Sequence, residues 1–273
     1  YILTIFEKRI NENDLPFFIN LQNYLSARNI KCPNPIIDND KNFINKIKSK
    51  SCLIVSFLTG TNQIKAIKKN HCYQVGRLIA TIHTETKKFK SQRKNSLNLI
   101  NLQKILDKCK NTKNSLYINL VNSIQKELTF LKKNKPYNLP KGIIHADVFI
   151  DNIFFTDNQL SGIIDFYFSC YDFYSYELAI CINAWCFNKR GFFDKSKFLS
   201  IMKGYEKIRK LSKLEIDSLP ILLKIATIRI LITRLHDLLY HTPETYVTPK
   251  DPIEYLEILK FHNNNSLIDI YKS

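Results

Sequence analysis

The chain has 273 residues, 45% of them hydrophobic, which is enough to bury a core as one large domain or two lobes. Its formal net charge is +17, but the lysines and arginines are scattered rather than gathered in a stripe, which argues against a nucleic-acid interface. The seven cysteines include no C-x-x-C pair, and no apolar run reaches membrane length; the expectation is a cytoplasmic protein with buried free thiols, neither disulfide-stapled nor zinc-bound nor membrane-embedded.

The chain begins at Tyr1 and its single methionine is Met202, so it reads as a fragment that starts within a domain. Tyr1 to Phe6 is a β-rich run. Asn13 or Asp14 can cap a helix that has Pro16 in its first turn and Phe18, Leu21 and Leu25 along one face. Cys32-Pro33-Asn34-Pro35 ends that helix. Ile36-Ile37, Phe43-Ile44 and Cys52 to Phe57 then read as strands of a small antiparallel sheet. After Leu58-Thr59-Gly60 the periodicity turns helical, over Cys72 to His83 and again over Leu116 to Leu131. Ile143-Ile144-His145 reads as a strand. Ile153 to Phe155 and Leu160 to Phe166 form a hairpin around Thr156-Asp157-Asn158-Gln159. Helices are expected at about 175–187, 194–208, 214–240 and 252–262.

The chemistry is concentrated between that strand and the end of the hairpin. His145, Asp147 and Asn152 make an H-x-D-x-x-x-x-N segment, and the second hairpin strand delivers Asp165 from an otherwise apolar run. One loop presenting a carboxylate and an amide, with a second carboxylate arriving from an adjoining strand, is the base-and-metal apparatus of phosphoryl transfer. Asp147 is the candidate base, and Asn152 and Asp165 are the candidate ligands of the Mg²⁺ that bridges ATP phosphates. A buried unpaired carboxylate at Asp165 would be costly, so a metal partner is a natural explanation. His145 reads as a loop-shaping residue; Asp151 reads either as a residue that orients the acceptor or, the plainer reading, as a solvated or capping one. Ala146 stands where protein kinases carry an arginine, Tyr167 stands where they carry glycine, and no A-P-E segment occurs. The pattern therefore points to a kinase of small molecules.

The stretches Gly142 to Asp147, Ser161 to Phe168 and Leu178 to Phe187 resemble the bacterial homoserine kinases of the aminoglycoside-phosphotransferase type. Tyr1 to Thr4, Leu15 to Phe18, Arg234 to Asp237 and Val247 to Pro252 extend the likeness over nearly the whole chain. The resemblance implies an α+β, protein-kinase-like two-lobe fold. Its partial antiparallel β N-lobe would span 1–60 and its mainly helical C-lobe 61–273. It also implies transfer of the ATP γ-phosphoryl group to the hydroxyl of L-homoserine, a step of threonine biosynthesis. It places a hinge at Ser56, Phe57 and Leu58, whose backbone would meet the adenine edge. Asp172 and Glu177 fall where relatives carry a D…D-L-A pattern. The lysine that relatives set on the α- and β-phosphates has no counterpart: Thr4 takes its place, and the helix from Asp14 to Arg28 holds no Glu. Phosphate neutralisation would then rest on Mg²⁺, with Glu7 or Lys8 nearby.

An amino-acid acceptor needs a cation for its carboxylate and an anion for its ammonium. Arg229 and Arg234 are the candidates for the first and Asp172 for the second. The two arginines read equally well as helix-surface salt bridges. Rival readings are a superfamily member acting on an aminoglycoside, choline or a sugar, and a non-catalytic kinase-like protein.

Overall fold

In the computed structural model, residues 1–6, 10–241 and 248–272 are described. The smaller part is a twisted antiparallel sheet backed by one helix. Strand β1 (Ile2–Ile5) pairs with β4 (Lys50–Val55) in the register Ile2 to Val55, and β2 (Pro35–Ile36) and β3 (Asn45–Ile47) also pair with β4. Helix α1 (Leu15–Ser26) packs under it because Phe17, Phe18, Leu21 and Leu25 share one buried face. The strand expected at Phe43-Ile44 lies two residues later, at β3. Lys48 and Ser49 take positive φ and form the tight turn that twists β3 back onto β4.

The larger part is helical. Helix α2 (Lys69–Glu85) is followed by α3 (Leu99–Cys109), α4 (Ser115–Asn134), α5 (Tyr174–Trp185), α6 (Lys195–Glu206), α7 (Lys213–Leu239), α8 (Ile253–Asn264) and the short α9 (Leu267–Lys272). Helices α2 and α6 approach closely because neither puts a side chain at the crossing. A Cβ on Gly76 would strike the Ile201 carbonyl, and one on Gly204 would strike that of Tyr73. All seven cysteines are free and buried. Among the described residues, no helix is long and apolar enough to cross a membrane.

Two small β units carry the loops between these parts. Strand β5 (Lys141–Ile144) pairs with β8 (Cys170–Phe173), while β6 (Ile153–Thr156) and β7 (Gln159–Ile163) form a hairpin. Thr61, just beyond the sheet, bridges to Phe155 on β6 and ties the crossing segment to this hairpin.

Candidate active site

The loop between β5 and β6 is built around a strained peptide. Ala146 has a left-handed backbone with φ of 62°, unusual for a residue with a side chain. Two buried side chains of opposite charge hold that residue. Its N–H donates to Glu177 Oε1 at 2.6 Å, and its carbonyl accepts from Arg229 Nη1 at 2.5 Å. Glu177, on α5, is fully enclosed, and its other oxygen accepts from His83 Nε2 at 2.7 Å. His145 bonds backbone on both sides, with Nε2 donating to the Ile164 carbonyl at 2.9 Å and Nδ1 accepting from the Asp147 N–H at 3.2 Å.

This framework aims Asp147. Its Oδ2 accepts from Asn152 Nδ2 at 2.8 Å, and the same amide donates to the Asp147 carbonyl, also at 2.8 Å. Arg229 Nη2 stands 3.5 Å from its Oδ1. Burial holds the Asp147 carboxyl above the ordinary aspartate range, and the nearby Asp165 charge adds to that effect; Arg229 and His145 oppose it. Because the Asn152 NH₂ is committed to Asp147, the amide presents its oxygen elsewhere, and that oxygen takes no hydrogen bond among the described residues.

Asp165 caps a one-turn 3₁₀ segment (Phe166–Phe168) with a left-handed φ of 63°. Its strand is locked to the loop by Ile164 N–H donating to the Asn152 carbonyl at 2.9 Å. The following Tyr167 packs edge-on against Phe6 and Phe18, with centroids 5.0 and 5.5 Å away, which ties the Asp165 segment to the end of β1 and to α1. Glu7 and Lys8 lie outside the described residues, as does Val247.

Two cavities meet at Asp165. One, of about 340 Å³, lies between the sheet and the β6–β7 hairpin and is lined by Ile2, Thr4, Val55, Ser56, Phe57, Leu58, Phe154, Ile164 and Asp165. The other, of about 270 Å³, is lined by Asp147, Asp151, Asn152, Asp165, Thr233, Arg234 and Lys250, with Phe149 and Ile230 as its apolar walls. The three sequence-picked residues Asp147, Asn152 and Asp165 thus converge on one cavity, and the Ser56–Leu58 segment lines the one beside it. Ser56 gives its N–H to the Asn34 carbonyl at 2.9 Å, which leaves the free backbone donors of that segment to its neighbours.

The remaining picks separate. Arg229 is buried against Ala146 and Asp147, with its guanidinium 5.4 Å from the Phe168 ring centroid, and it does not line the cavity. Arg234 does line it, held by Glu254 at 2.6 Å and the Asp251 carbonyl at 3.0 Å. Five helical residues rotate the second arginine about 140° from the first, and it is Arg234 that lines the cavity. Asp172 does not reach this cavity. It lies opposite Gly142 in the β5–β8 pair, accepts from Asn95 Nδ2 at 2.7 Å, and lines a separate recess with Asn95, Lys135 and Tyr176. The sequence reading missed Lys250 and the His83–Glu177 pair. A proline-flanked lysine and a buried-face histidine were the available signals, and neither states its partner.

The family model described as "Phosphotransferase enzyme family" matches residues 1–211. The chain belongs to that phosphotransferase family. It is 42% identical over 96% of its length to a homoserine kinase of Parvibaculum lavamentivorans, of which it covers 81%. It is 43% identical over 99% of its length to a homoserine kinase of Bartonella tribocorum, of which it covers 85%. Among solved structures, an amicoumacin kinase in complex with AMP-PNP and Ca²⁺ superposes with a TM-score of 0.72 at 14% identity, over 98% of this chain and 81% of that one. A Plasmodium vivax ethanolamine kinase gives 0.64 at 14% identity, over 96% and 75%. At such identities the structural likeness establishes the fold, an α+β kinase-like arrangement of two lobes. Within this phosphotransferase, Asp147, Asn152 and Asp165 supply oxygen donors alone: two carboxylates and one amide.

Proposed function

We propose that this phosphotransferase is a homoserine kinase, moving the γ-phosphoryl group of ATP to the side-chain hydroxyl of L-homoserine to give O-phospho-L-homoserine. The observation that carries the reading is the similarity to curated homoserine kinases at 42–43% identity over nearly the whole chain. The cavity pair supports it. A nucleotide in the larger cavity would set its adenine against Phe57 and Leu58 and its phosphates toward Asp165, where the acceptor cavity begins.

The donor set fits Mg²⁺, a hard cation that prefers oxygen ligands. Asn152, through its free amide oxygen, and Asp165 would hold it. When bound, the metal supplies positive charge against the phosphate oxygens during transfer. The chain's own residues do the rest. Asp147 accepts a hydrogen bond from the acceptor hydroxyl, orients its oxygen toward the γ-phosphorus, and takes its proton as the bond to phosphorus forms. Asn152 fixes the rotamer of that carboxylate. Arg229 opposes the burial that favours its protonated form.

The test is a coupled ADP-release assay with Mg-ATP and homoserine, serine, choline or an aminoglycoside as acceptor. Turnover with homoserine at a kcat/KM well above the others is expected. Preference for any other acceptor, or no turnover with homoserine, refutes the reading.

A further inference from the structure

The acceptor cavity carries five charged side chains: Asp147, Asp151, Asp165, Arg234 and Lys250. Asp147 and Asp165 are engaged by the chemistry above, and Arg234 is clamped by Glu254. That leaves one anion and one cation, Asp151 and Lys250, which face each other with Oδ2 and Nζ 2.5 Å apart. They lie 99 residues apart in the chain, Asp151 on the loop that carries Asp147 and Lys250 on the segment between α7 and α8.

We propose that this pair reads the zwitterionic end of the acceptor, an inference that rests on the homoserine-kinase reading. The Asp151 carboxylate takes the α-ammonium and the Lys250 ammonium takes the α-carboxylate. The two side chains are 61% and 60% exposed, so their mutual attraction is screened and little is lost when a ligand parts them. Their backbones, by contrast, are fixed. The Asp151 carbonyl accepts from Asn62 Nδ2 at 2.6 Å. Next to Lys250, the Asp251 carbonyl accepts from Arg234 and its carboxylate caps the start of α8 through the Ile253 N–H at 2.8 Å. Anchored backbones with screened side chains let a zwitterion exchange partners with both residues at once, each charge replaced by one of the same sign. Because Asp151 lies next to Asn152 in the chain, gripping the far end of the acceptor there sets the distance at which its hydroxyl meets Asp147.

The test measures kcat/KM for three acceptors: homoserine, homoserinol, in which CH₂OH replaces the carboxylate, and 4-hydroxybutanoate, which lacks the amine. Inhibition constants against homoserine replace kcat/KM where turnover is slow. Lys250→Met is expected to lower kcat/KM for homoserine about tenfold while changing homoserinol less than about twofold. Asp151→Asn is expected to lower homoserine and homoserinol by a similar factor and to spare 4-hydroxybutanoate. The KM for Mg-ATP stays unchanged in both variants. Equal losses on all three acceptors, or homoserine kinetics unaltered by either change, overturn the assignment while leaving the homoserine-kinase reading intact. A wild-type protein that ignores homoserine refutes that reading itself, and the inference with it.

Discussion

Glu177→Gln is nearly isosteric, yet it should destabilise the protein, because the network around it has a fixed proton polarity. In the native chain His83 Nε2 donates to Glu177 and Nδ1 lies 2.9 Å from the Tyr205 hydroxyl, which also accepts from Arg209 Nη1 at 3.1 Å. Burial lowers the affinity of His83 for a proton, so the neutral ring donates once, to Glu177, and accepts once, from Tyr205. A glutamine can still accept from the Ala146 N–H, but it turns an NH₂ toward His83. The ring must then switch tautomer and donate to Tyr205, whose oxygen already faces Arg209. The tyrosine hydrogen is left without an acceptor in a site where Tyr205 is fully buried. One orphaned buried donor costs about 1–3 kcal/mol, and replacing charge-assisted bonds with neutral ones adds to this. About 2 kcal/mol corresponds to a fall of roughly 3–4 °C in the melting midpoint of a chain this long. Thermal and urea unfolding would measure it, and a double-mutant cycle with Tyr205→Phe should give a coupling of about 0.5–3 kcal/mol. A Glu177→Gln variant as stable as wild type, or strict additivity with Tyr205→Phe, would show that the network imposes no polarity.

Asp147→Asn should lower kcat by about 10²–10⁴-fold with unfolding midpoints close to wild type, measured in the coupled assay; near-normal turnover would remove Asp147 from the role of base. Asp165→Ala should abolish Mg²⁺-dependent nucleotide binding in a calorimetric titration, and binding that survives with unchanged metal dependence would exclude it as a ligand. Stability should also fall in acid. Burial holds His262 at a pKa of about 3, with Lys224 adding to the effect, and lowers His83 as well. The unfolded chain takes up those protons near pH 6.5 and the folded one does not. The contribution is therefore present above about pH 6.5 and is lost as pH falls toward 3, approaching about 1.4 kcal/mol per pH unit for each histidine. Urea midpoints at several pH values should show a shallower acid slope in His262→Gln; an unchanged slope would mean that His262 titrates normally.

How far each feature was legible depended on how local its cause is. The helices announced themselves because a buried stripe repeats every three or four residues, and the β6–β7 hairpin because its turn residues interrupt two apolar runs. Helix α3 went unread although Asn98 caps it and Leu99, Leu102, Leu106 and Cys109 follow at helical steps, all of them buried. Strand β8 had no local signal: four residues whose partner, β5, lies about thirty positions away. The chemistry followed the same division. Asp147, Asn152 and Asp165 could be picked because one loop and its hairpin carry all three. The groups that surround them come from α2, α5, α7 and the segment before α8, and no spacing rule pairs Glu177 with Ala146 or Lys250 with Asp151.

Ala146 shows why the distant groups are needed. Left alone, an alanine avoids the left-handed region at a cost of roughly 1–3 kcal/mol, so the loop would relax and swing Asp147 away from Asn152. Glu177 and Arg229 prevent that by pinning the N–H and the carbonyl of the same residue from two different helices. Each helix is in turn fixed by the apolar core. The strain at one backbone position is thus sustained by burial elsewhere, and the base stays aimed because the residue before it is held in a conformation it would not choose.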